Sequence, residues 1–101
     1  MNDDYKELHK EAEELWFKFR DLVDMPNDGS MQNMQGKLKD ISEIIESNQD
    51  PNRIEDRIRD AQKELDRLRS DESGLMSPDD ADTLFRGYEK LREHVRELPN
   101  Y

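Results

Sequence analysis

No cysteine occurs in the 101 residues. This excludes a disulfide framework, a thiolate metal site and a cysteine nucleophile, and fits a reducing compartment; the expected localisation is cytoplasmic. Histidine is scarce as well. His9 and His94 are the only two, and Lys6 and Leu91 stand three residues before them, so neither completes a Glu-x-x-His metal pattern. His9 and Glu13, one helical turn apart, supply two ligands at most, too few for a zinc site. Neither a metal nor any other cofactor is expected.

Apolar residues are few: 32% are hydrophobic and 7% aromatic, with a mean hydropathy of −1.25. The longest unbroken apolar run is Leu15-Trp16-Phe17, far short of a membrane span. The first residues, Met-Asn-Asp-Asp-Tyr-Lys-Glu, lack the basic and apolar regions of an export signal. With 4 glycines in all there is no phosphate-cradling loop. Asp79-Asp80-Ala81-Asp82 lacks the central glycine and closing glutamate of a calcium loop. Carboxylates abound, but general acid or base work needs a desolvated carboxyl, and no apolar pocket is implied. No catalytic residue is expected, and the chain is expected not to be an enzyme.

Positive charge is also in deficit, with 16 Lys and Arg against 26 Asp and Glu, a net −10. Such a chain repels nucleic-acid backbones and anionic lipid and favours a cationic partner. The stretch 53–69 is rich in arginine (Arg53, Arg57, Arg59, Arg67, Arg69), but interleaved acids cancel most of its field, so direct nucleic-acid binding is not expected. The excess acid is uneven: the first fifty residues carry net −7 and the remainder net −3. Pairs such as Glu55 with Arg59, Asp60 with Lys63 and Glu64 with Arg67 read as supports of an exposed helix.

What the chain does have is spacing. Charged residues make up 42%, against about 25% in an average domain, which borders on the composition of disordered chains. Strict 3-4 apolar alternation argues for a fold nonetheless. Tyr5, Leu8, Ala12, Leu15, Phe19 and Leu22 mark a first helix over about 3–24, and Met25-Pro26-Asn27-Asp28-Gly29-Ser30 is a turn-forming stretch. Met31, Met34, Leu38, Ile41 and Ile45 mark a second over 31–47, with Ser30 as N-cap and Gly36 as a weak point. Ile54, Ile58, Ala61, Leu65 and Leu68 mark a third over 51–70, capped by Asp50 with Pro51 in the first position. Ala81, Leu84, Tyr88, Leu91, Val95 and Leu98 mark a fourth over 78–98, started by Ser77-Pro78-Asp79-Asp80.

These spans predict one all-α domain over residues 1–101, either a four-helix bundle or paired antiparallel helical hairpins with coiled-coil-like packing. The stripes of helices two and three are narrow, the geometry of a pairwise seam, and a second copy of the chain is one way to complete such seams as a homodimer. With no chemistry in view, the expected function is protein–protein interaction, as a small acidic adaptor or regulator. The alternative is an acidic inhibitor or nucleic-acid mimic that binds a basic protein surface.

Candidate contact residues lie in helix one. Glu7, Glu11, Glu13 and Glu14, with Asp3 and Asp4, form an acidic cluster that is either a solvated helix start or a surface for a basic partner. Trp16 and Val23 widen the apolar stripe on one side, and Phe17, about 100° further round the helix, is either core, if helix one is central, or an exposed anchor. Met31 and Met34 either fill gaps in the core or line an adaptable groove.

Overall fold

The computed structural model describes residues 3–22, 29–47, 50–70 and 76–98. Among them run four helices and no strand: α1 (Asp3–Leu22), α2 (Gly29–Glu46), α3 (Pro51–Ser70) and α4 (Pro78–Arg96). Each helix packs against two others, α1 with α2 and α4, α3 with α2 and α4, leaving α1–α3 and α2–α4 as diagonals. This ring is an up-down-up-down bundle about 40 Å long, 21 Å wide and 17 Å deep, and it decides between the two arrangements the stripes allowed.

The heptad stripes build the core directly. Leu8, Ala12 and Phe19 of α1, Leu38, Ile41 and Ile45 of α2, Ile54, Ile58 and Leu65 of α3, and Leu84, Tyr88 and Leu91 of α4 are all buried in one cluster. Met31 and Met34 are buried too, so they pack the core and line no groove. The stripes face one another within one chain, so the unfilled seam that suggested a homodimer is filled from inside. Trp16, Leu15 and Phe85 pack on its edge.

The starts of α3 and α4 follow their capping chemistry. The Asp50 carboxylate accepts from the Asn52 backbone N–H at 2.8 Å, and its carbonyl accepts from Arg53 at 2.9 Å. Ser77 Oγ accepts from the Asp80 N–H at 3.1 Å, with Pro78 in the first turn where no N–H is needed. Helix α2 departs from expectation: it starts at Gly29, not Met31, so Ser30 sits inside its first turn, and it runs unbroken through Gly36 to Glu46. Helix α4 ends at Arg96; Glu97 and Leu98 continue as a tightened turn, donating to the His94 and Val95 carbonyls at 3.1 Å each. Residues 23–28, which include the end expected for the first helix and most of its turn, and Asn48, Ser73-Gly74 and Pro99 lie outside the described residues.

The α3–α4 seam is polar. Beside the α3 stripe stand Glu55, Gln62 and Arg69, seven residues apart and therefore on one flank. Each reaches across to α4. Arg96 donates to Glu55 through Nε at 3.0 Å and Nη2 at 2.8 Å, and Arg92 Nη2 lies 3.5 Å from the same oxygen. Arg92 Nη1 also donates to Gln62 Oε1 at 2.9 Å, and Gln62 Nε2 donates to the Phe85 carbonyl at 3.3 Å. Arg69 Nη1 donates to Asp82 at 2.7 Å, and its guanidinium lies 3.9 Å over the Phe85 ring. Glu55 and Gln62 are 6% and 4% exposed, so each misalignment would strand a desolvated polar group, and the seam fixes the register of the two helices.

The other contacts are antiparallel too. Lys37 of α2 sits 3.5 Å from both Asp60 and Glu64, and Arg57 lies 3.6 Å from Asp40. Of the three pairs the spacing suggested within α3, Glu64–Arg67 forms at 2.6 Å, whereas Asp60 meets α2 and Glu55 meets α4.

Candidate functional site

On a helix of about 100° per residue, Tyr5, Leu8, Ala12 and Phe19 fix which side of α1 faces the core. Phe17 falls nearly opposite and is 47% exposed, the one large hydrophobic so exposed among the described residues. Of the two readings of Phe17, the core one fails, because α1 is a helix of the ring with two neighbours and a free outer face. Phe17 is not isolated. Its ring stands 4.9 Å from that of Trp16, tilted by 45°, and the Arg20 guanidinium lies 5.1 Å from the Trp16 centroid. Trp16 is half-buried against the edge of the core, with its Nε1 enclosed and without an acceptor. The three side chains form an aromatic ridge with a cation on it.

The acidic cluster separates into three settings. Glu7 and Glu14 are exposed and carry no ion pair among the described residues. Glu11 is half-buried and turns towards α4, where His94 Nδ1 lies 2.8 Å from its Oε2. Glu13 faces the α2 flank, 3.7 Å from His9 Nε2, which lies 3.7 Å from Glu46 as well. Glu7, Glu11 and Glu14 thus border the α1–α4 groove, and Glu13 does not belong with them. Asp4 lines the same groove, beside Glu97 and Leu98.

Among the described residues no group of three or more His, Asp or Glu side chains is placed to hold a metal ion. No helix among them is long and apolar enough to cross a membrane. Displaced ionisation occurs away from α1. The Arg69 hydrogen bond holds the Asp82 carboxyl below its usual range, and burial alone pushes the Tyr88 phenol up. The Tyr88 hydroxyl is enclosed without a partner, as is Arg92 Nε.

Sequence reasoning missed the Glu55–Gln62–Arg69 row and the partner it makes of α4. The signal was present: a second seven-residue spacing one position after Ile54, Ala61 and Leu68, where polar residues flank an apolar seam. Comparison with known proteins finds no family, no curated protein and no solved structure that matches the chain.

Proposed function

We propose that the protein is a non-catalytic interaction module of the cytoplasm, a small acidic helical adaptor or regulator that binds a protein partner through the outer face of α1. The observation that carries this reading is Phe17. A side chain of that size, half in water beside Trp16, contributes nothing to a core that is complete without it. Aromatic and arginine side chains in this arrangement dominate the energetics of protein interfaces. Glu14, one turn before Phe17, and Glu7, further along the same helix, are exposed and unpaired and give α1 a negative character suited to a basic partner.

The acidic inhibitor or nucleic-acid mimic is the second reading, and the same two unpaired glutamates favour it. Charge density weighs against it. A net −10 spread along 40 Å is less than half the density of duplex DNA, about one charge per 1.7 Å. Several acids are moreover neutralised by arginines of adjacent helices.

Affinity capture at low and high salt, with Phe17→Ala beside the native chain, tests both. Partners kept at high salt and lost with Phe17→Ala support the module; circular dichroism establishes that the variant folds. Partners lost at high salt, displaced by DNA and indifferent to Phe17→Ala support the mimic and defeat the first reading.

A further inference from the structure

The α1–α4 seam differs from the α3–α4 seam in leaving charges of both signs unpaired along an open groove. At one end the walls are Glu7 and Glu11 of α1 with His94 and Glu97 near the end of α4. Further along, past Glu11, whose contact with His94 bridges the two walls, a second cleft of the same seam is lined by Glu14, Leu15 and Lys18 on α1 and Gly87 and Lys90 on α4. Glu7, Glu97, Glu14, Lys18 and Lys90 are exposed and make no ion pair among the described residues, so the Glu7 end is negative and the Gly87 end, with one acid to two lysines, is net positive. Between the two ends Leu15 lies across Gly87, so close that a Cβ there would sit 2.5 Å from Leu15 Cδ2. Leu15 fills the space a side chain at Gly87 would take and forms a shallow apolar floor. From Glu7 to Lys18 the groove runs about 16 Å, three turns of helix at roughly 1.5 Å per residue.

We propose that this groove docks an amphipathic α-helix of a partner protein with charge segregated to its ends. Lysine or arginine would lie over Glu7 and Glu97, an aliphatic side chain over Leu15 at Gly87, and aspartate or glutamate over Lys18 and Lys90. Charge complementarity selects this occupant. A uniformly cationic segment meets Lys18 and Lys90, and a second copy of the chain brings the same net −10 with little apolar surface beyond Leu15 to offset the repulsion. The inference rests on the interaction-module reading and names a second surface for it, on the flank of α1 next to Phe17.

The test is titration of the isotope-labelled full chain with synthetic helical peptides, followed by amide NMR shifts. One peptide carries Lys in its first turn, Leu at its centre and Glu in its last turn; a second has the same composition with Lys and Glu interleaved. The expected result is at least tenfold tighter binding of the segregated peptide, with shifts confined to residues 7–18 and 87–97. Lys18→Glu with Lys90→Glu should abolish that preference and admit an all-lysine peptide. Equal binding of the two peptides, no binding at millimolar concentration, or shifts mapping to α2 and α3 would overturn the proposal. Phe17→Ala should leave the peptide affinity unchanged, so the two surfaces fail separately. A captured partner that needs Phe17 while the peptide fails removes the groove and keeps the module. A peptide that binds while every partner survives Phe17→Ala does the reverse.

Discussion

Glu55 and Arg96 meet twice across the α3–α4 seam, the guanidinium donating through both Nε and Nη2 to one carboxylate oxygen, Oε1. The Glu55 side chain is 8% exposed and that of Arg96 50%, so the acid is the desolvated partner and the arginine keeps one side in water. Removal of the two members is therefore asymmetric. Glu55→Ala leaves Arg92 without a carboxylate on a side chain already short of one acceptor, and should cost about 2 to 3 kcal/mol. Arg96→Ala, with Arg92 still beside the acid, should cost about half as much. Urea unfolding of the two variants measures the difference, and equal losses would contradict the assignment of the burden to the acid.

Tyr88 is fully buried with its hydroxyl unpartnered. Tyr88→Phe removes a desolvated polar atom and no hydrogen bond, and is expected to be neutral or to stabilise by about 1 kcal/mol. The phenol is held neutral in the fold by burial. An unfolded tyrosine ionises near pH 10, so the contribution is complete below that value and is lost as pH rises beyond it, because only the unfolded chain gives up the proton. Tyr88→Phe should flatten the alkaline side of the stability curve between pH 9 and 11, as read by thermal unfolding.

The Asp82 carboxyl sits between Arg69 and Arg86, with Nη1 of Arg69 at 2.7 Å and Nε of Arg86 at 2.9 Å. Its ionisation is displaced downward, first by the Arg69 hydrogen bond. The stabilisation it gives is present above the unfolded carboxylate range and lost as pH falls towards the displaced value. Carbon-detected NMR titration should place Asp82 below the exposed carboxylates, and Arg69→Ala should raise it towards them more than Arg86→Ala does. The reverse order would mean that Arg86 governs the site.

Gly36 of α2 and Gly87 of α4 should answer oppositely to the same substitution. Gly36 is exposed with open space where a Cβ would be, so Gly36→Ala should stabilise by about 0.5 to 1 kcal/mol through helix propensity alone. At Gly87 the new methyl meets Leu15 Cδ2 at 2.5 Å, and the gain is offset by displacement of that side chain. A rise in Tm for Gly36→Ala, with none or a fall for Gly87→Ala, is the expected pair.

Most of the fold is legible in the sequence because each stripe records which side of its helix is dry. Ile54 to Leu68 and Ala81 to Leu98 locate two helices and their buried faces, and Asp50-Pro51 and Ser77-Pro78 locate their starts. The start of α2 is less legible: Gly29 and Ser30 carry turn chemistry that the packing of Met31 and Met34 overrides. The surface is less legible still. Phe17 lies off the stripe in any arrangement, and only the peripheral place of α1 in the ring turns that offset into exposure. The acids of α1 read as one cluster along the chain, yet the two flanks of a helix face different neighbours, so His94 and His9 divide Glu11 from Glu13. Nothing in a single stripe says which helix stands on which side.

Trp16 is the single tryptophan of the chain, and it touches both the core edge and the exposed Phe17 ring. Its indole emission therefore reports on the aromatic ridge without any introduced label. A partner that covers Phe17 should withdraw water from the indole and move the emission towards the blue, whereas a ligand confined to the α2–α3 side should leave the spectrum in place. The native chain carries a built-in optical gauge of which face is occupied.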